Sequence, residues 1–137
     1  MIESIVIEDI RVAIVVRRNY KTDKTAFITD SSDVLQLGHI VYPAGSSITP
    51  HIHNNVERTI EGTPEVLIVQ KGKIKTIFYN KDKKRKGDII LEEGDVILLL
   101  DGGHGFEMLE DTVLMEIKQG PYLGELDKER FNDDLCK

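Results

Sequence analysis

Apolar and polar residues alternate along most of this chain, or run together in short β-branched blocks. Residues 5–16 alternate at first and then pass through Val12, Ile14, Val15 and Val16. A period of two, enriched in Val and Ile, is the signature of a strand. The same pattern predicts strands over 25–29, 34–42, 65–70, 73–79, 88–91, 96–100, 105–109 and 112–118. Turn residues separate them: Pro43-Ala44-Gly45, Lys71-Gly72, Asn80-Lys81-Asp82, Glu92-Glu93-Gly94-Asp95, Asp101-Gly102-Gly103 and Glu110-Asp111. Only 125–135 has helical spacing, with Leu126, Arg130 and Phe131 forming a short face. Many short strands punctuated by turns predict an all-β sandwich or barrel. The one long irregular stretch, 54–64, is of the kind that often carries function in a compact domain.

Length and charge narrow the picture. At 137 residues the chain is expected to form one domain over 1–137, large enough to bury a core without staples. A formal charge of −6 argues against nucleic acid as a partner, because that role needs a basic face to displace counterions. The basic run 81–86 falls between two strands and reads as a solvated hairpin tip, the alternative being a patch for an acidic partner. The single cysteine, Cys136, excludes an internal disulfide, and its place near the chain end makes it a poor nucleophile. No signal pattern opens the chain and the longest apolar runs are strand-sized, so no membrane association and a cytoplasmic address are expected.

The chemistry concentrates in histidine. Of His39, His51, His53 and His104, two fall in His51-Ile52-His53. On a strand these two imidazoles point to one face, with Ile52 opposite. Paired imidazoles with a carboxylate and a distant third imidazole suit a divalent transition metal. His104, between glycines in Gly102-Gly103-His104-Gly105, is the candidate third. Taken alone, His51 and His53 also fit a surface or core pair without metal. His39 reads as structural or exposed.

Those residues resemble the motifs of the cupin family. Gly45, five residues, then His51-x-His53 matches the first half of the family's first motif, and Glu65-x6-Gly72 matches the second half. Gly94-Asp95-Val96, followed by Gly102 and His104, is similar to its second motif, with Leu100 where the family has proline. The likeness spans about 35–118. It implies a double-stranded β-helix, here with a short C-terminal helix. It also implies one divalent metal ion (iron, manganese, nickel or zinc) held by His51, His53, Glu65 and His104. The eleven residues between His53 and Glu65 exceed the family's gap, and Glu57 is the alternative carboxylate. Glu65 is preferred because it opens a convincing strand ending at Gly72.

Three residues are candidates for catalysis around such a metal. Glu116 and Lys118 share a face of the last strand with Leu114, and beside a metal they could orient an anionic substrate or move protons. On the outer face they would be a plain charged pair. Arg58, in the long loop, could grip a carboxylate or phosphate bidentately, or be an ordinary surface arginine. Tyr42, Phe106 and Met108 read as barrel lining or core. The N-terminal β-branched run has no evident partner within the motif-bearing core, and so suggests pairing across a homodimer. The function expected is a metal-dependent enzyme acting on a small polar metabolite such as a sugar or organic acid, of dioxygenase or isomerase type. The alternatives are a non-catalytic sensor of a small ligand and a metal-free barrel resembling sugar epimerases.

Overall fold

A computed structural model describes residues 1–133. The described residues are nearly all β, in antiparallel pairings. The strands are β1 (Ile2–Ile7), β2 (Ile10–Val16), β3 (Ala26–Phe27), β4 (Gly38–His39), β5 (Glu65–Lys71), β6 (Lys73–Tyr79), β7 (Arg85–Glu92), β8 (Val96–Leu99), β9 (Gly103–Met108) and β10 (Val113–Lys118). The chain divides into two compact units, one of Met1–Tyr20 with Thr63–Lys137 and the other Lys21–Gly62. No helix among the described residues is long and apolar enough to cross a membrane.

The first unit holds two sheets. One is five-stranded in the order β1-β2-β8-β5-β10, and the other is three-stranded in the order β7-β6-β9. Strand alternation sets what each sheet turns inward. From the large sheet come Ala13, Val15, Leu67, Val69, Ile97 and Leu99; from the small sheet come Ile74, Phe78 and Leu91. Together these form one buried cluster, with Phe106, Ile89 and Leu114 packed at its margin. Burying side chains of this size stabilises by about 1.5–3 kcal/mol each, which is what holds the sheets together.

The second unit contains only the short β3–β4 pair as regular structure, in which Ala26 faces His39 and Phe27 faces Gly38. Thr29 and Gln36 tie the intervening loop: Thr29 Oγ1 accepts from the Leu37 N–H at 3.0 Å and donates to Gln36 Oε1 at 3.2 Å. The strand expected over 34–42 is therefore cut to two residues, because side-chain hydrogen bonds replace ladder bonds on its N-terminal side.

Three further expectations are corrected. His51-Ile52-His53 lies in no strand; residues 40–64 carry no regular structure, so a period of two does not place these imidazoles. The helix expected over 125–135 is replaced by a single 3-10 turn, Gly124–Leu126, followed by irregular chain to Asp133. Leu126 is 91% exposed, so the apolar face that was to anchor that helix has nothing to pack on. Leu135 and Cys136 lie outside the described residues. The N-terminal run is two strands, not one, turning at Glu8 and Asp9, both at positive φ. Its second strand pairs within the chain, Ala13 to Leu99 through Val16 to Val96. The N-terminal run thus pairs within the chain, with β1 at the edge of the five-stranded sheet.

One core position breaks the apolar rule. Thr76 is fully buried on β6, opposite Ile89 and Phe106, and its hydroxyl meets no hydrogen-bond partner among the described residues. A buried unpaired hydroxyl is a net cost, and valine fills almost the same space. Thr76→Val is therefore expected to raise stability by about 1 kcal/mol. Thermal unfolding would register this as a gain of roughly 3–5 °C, whereas a drop would mean the hydroxyl has a partner in solution.

Candidate functional site

Glu65 opens β5 and His104 is the second residue of β9, so they come from different sheets. Parity places both inward. Glu65 precedes the core residues Leu67 and Val69 on its face, and His104 shares a face of the small sheet with Phe106 and with its cross-strand partner Phe78. Across the space between the sheets, His104 Nε2 donates to Glu65 Oε2 at 3.1 Å. The carboxylate is nearly enclosed, with 10% of its side chain exposed against 28% for the imidazole. The hydrogen bond from His104 holds the Glu65 carboxyl below the usual carboxylate range, against the upward push of burial, and the positive charges of Lys118 and Lys128 add to the lowering. The Phe106 ring sits 5.5 Å from the imidazole, centre to centre, and walls one side.

The glycines around His104 have a local cause. Gly102 turns the chain at φ +73. A Cβ on Gly103 would come within 3.2 Å of the Tyr79 Cβ and 3.3 Å of the Phe131 ring. Gly105 faces the same tyrosine ring at 3.8 Å. Bare backbone on the outer face of β9 thus lets Tyr79 lie flat over it, edge-on to Phe131 at 5.0 Å and donating to Asp133 at 2.5 Å. The strand that carries His104 is clamped from behind by this aromatic pair.

Lys118 joins the inner face. It is the direct cross-strand partner of Glu65 on β10, and partners in an antiparallel pair share a face. It is half-buried, with its ammonium 5.8 Å from the centre of the Tyr122 ring. Glu116, opposite Leu67, has the same parity but is exposed at the sheet edge. Of the three candidates for catalysis, the structure brings only Lys118 next to the Glu65–His104 pair with its side chain partly enclosed.

The remaining sequence candidates lie in the second unit. His51, His53, Glu57 and Arg58 are all exposed there. The two imidazoles do sit together, edge to face with centres 5.2 Å apart, and His51 Nδ1 is 2.9 Å from the Thr49 carbonyl. Glu57 and Arg58 make no ion pair or hydrogen bond among the described residues.

Ligands about 2.0–2.2 Å from a divalent ion and at right angles lie about 3 Å apart. The Glu65 and His104 atoms, at 3.1 Å, meet that spacing. Two donors converge in this way; no group of three or more His, Cys, Asp or Glu side chains among the described residues forms a metal cluster.

A concavity lies between the β1–β2 and β6–β7 turns, lined by Ile7, Ile10 and Val12 with Glu8, Asn80 and Asp101. Its polar groups are already matched: Glu8 accepts from Asn80 at 2.9 Å and pairs with Lys86 at 3.0 Å, and Asp101 lies 3.8 Å from Lys81. Sequence reasoning passed over Lys128, whose charge acts on Glu65 and which sits in a segment tethered by the hydrogen bond from Thr63 to Asp127 at 2.8 Å. Only the density of charge after Gly120 could have signalled it. Set against known proteins, the chain matches no family model, no curated protein and no solved structure.

Proposed function

We propose that this chain is a cupin-like metal-binding protein that takes a small polar metabolite into the space between its two sheets. The carrying observation is the meeting of Glu65 and His104, named as metal ligands from two separate motifs, at 3.1 Å on facing sheets. Glu65 and His104 are the two donors of the proposed site. A bound divalent ion would act as a Lewis acid on an oxygen of the metabolite. The chain's own groups do the rest. Glu65 stays ionised despite its enclosure, which suits it to hold a cation. Phe106 and the core behind it keep water from one side, and Lys118 sets a positive charge beside the pair.

The test is elemental analysis of the purified, untagged protein beside Glu65→Ala, His104→Ala and His51→Ala. About one equivalent of metal in the wild type, lost in Glu65→Ala and in His104→Ala, is the expected result. Absence of metal after loading and desalting would end the reading. Retention in His51→Ala would confine the site to Glu65 and His104.

A second reading has an observation of its own. The direct hydrogen bond from His104 to Glu65 already fixes the imidazole as a carboxylate-oriented acid–base pair, the arrangement that proton transfer uses without a metal. Under that reading, activity on the metabolite survives chelation and is lost in His104→Ala.

A further inference from the structure

Lys118 is a charged group on the inner face that is left unpaired among the described residues. Its cross-strand partner is Glu65, and opposite charges so placed ordinarily pair. Here they do not: Glu65 gives its carboxylate to His104, and Lys118 makes no hydrogen bond or ion pair among the described residues. Its ammonium lies 5.8 Å from the centre of the Tyr122 ring. A lysine that is half-buried can give up part of its water, and an aromatic face replaces little of what is lost. Three N–H donors are therefore left for an acceptor that the chain does not supply.

We propose that Lys118 is an anion subsite that binds the carboxylate of a small monocarboxylate metabolite, holding the rest of the molecule toward Glu65 and His104. This rests on the reading of the inter-sheet face as the ligand site, and it narrows the metabolite to an organic acid. The charge balance selects a monoanion. One lysine stands directly across the strand pair from one glutamate, with exposed Lys128 as a second cation in the same unit. A phosphate dianion would meet more repulsion from Glu65 than this arrangement offsets. The aromatic wall of Phe106, 5.5 Å from the imidazole centre to centre, offers an apolar surface to a short carbon skeleton beyond the carboxylate.

Titration of the full chain with lactate and acetate, with glycerol as the neutral control, tests this by 15N amide and lysine side-chain NMR. The titrations are run on chelator-treated protein and again with one equivalent of zinc. The expected result is saturable shifts at Lys118 and at the β5 and β10 amides around Glu65, with none for glycerol. Lys118→Met is expected to weaken binding by at least about tenfold, the worth of one charge-assisted hydrogen bond, while Lys118→Arg keeps most of it. Lys71→Met, which removes an exposed charge at the other end of β5, should leave affinity unchanged. Equal weakening in Lys71→Met and Lys118→Met would reduce the effect to bulk charge and overturn the subsite. So would metal binding without any carboxylate response. Carboxylate binding that needs Lys118 in a protein that takes up no zinc would uphold the subsite and sink the metal reading alone.

Discussion

Replacing Asp95 by alanine is expected to destabilise the protein by about 3 kcal/mol, lowering the melting temperature by roughly 10 °C. Asp95 is 3% exposed, in the turn between β7 and β8. Its carboxylate does several jobs at once. One oxygen accepts from the Arg18 N–H at 2.8 Å; the other accepts from the Glu92 N–H and from the Arg17 guanidinium, both at 2.9 Å. Arg17 in turn holds Glu3 on β1 and donates to the Ile90 carbonyl at 2.7 Å. Alanine would leave two backbone donors and one cation short of an acceptor in a nearly closed place. The penalty for such orphaned groups exceeds the net worth of the bonds themselves. Asp95→Asn, which keeps an acceptor but removes the charge, should recover part of the loss. Equal loss in both variants, measured by urea unfolding, would show that the negative charge Asp95 sets against Arg17 is what matters.

The same group sets an acid limit. Burial pushes the Asp95 carboxyl up, but the hydrogen bonds from Glu92, Arg18 and Arg17 outweigh it and hold it below the ordinary aspartate value of about 3.9. A depressed carboxyl contributes stability that is fully present above its unfolded value and is lost as the pH falls through its folded value. The wild type should therefore lose stability faster than Asp95→Asn below about pH 4. Parallel acid melts of the two proteins would settle whether Asp95 is the group responsible.

Where the fold was legible, it was legible through alternation. Strands β5, β6, β8 and β10 bury one face in a common cluster, and a period of two with Val and Ile is strong evidence when the opposite face is polar or half-exposed. The motif spacing led to Glu65 and His104 because each sits on a regular strand, where counting residues is counting geometry. It could not lead to His51 and His53 in the same way. Their segment makes no ladder, so the parity argument had no backbone to act on. The edge of the β7 strand was also misjudged. Arg85 and Lys86 belong to the strand itself and not to the solvated tip, because Asn80 organises the turn by accepting from the Asp82 and Lys84 N–H groups and lets pairing restart early. Polar residues in an edge strand look like loop to a pattern that counts only apolar alternation. Lys118 was named from parity alone, and what the sequence could not show is that Glu65 would turn to His104 and leave it without a partner.

Gly72→Ala is expected to be about as costly as the loss of Asp95, for a wholly different reason. Gly72 joins β5 to β6 at φ +88, a conformation that costs an alanine roughly 1–2 kcal/mol. Space adds a second cost. A Cβ there would lie 2.3 Å from the Asp111 carbonyl oxygen and 2.8 Å from Thr112 Oγ1. The first contact is with backbone, so it cannot be relieved by turning a side chain. The β9–β10 turn would have to move, and with it the hydrogen bond from the Leu109 N–H to the Lys73 carbonyl at 2.9 Å. Overpacking of this kind costs about 1–3 kcal/mol, which brings the total to about 3 kcal/mol. Gly45→Ala provides the control, since Gly45 has nearly the same φ, +87, but nothing within 4 Å of an added Cβ. Urea midpoints for the two variants should differ by the packing cost alone. If they move together, the clash at Gly72 is absorbed by the turn, and backbone conformation is the whole of its effect. Both glycines belong to the motif pattern that suggested the cupin likeness, so the comparison also separates a glycine required by packing from one required only by a turn.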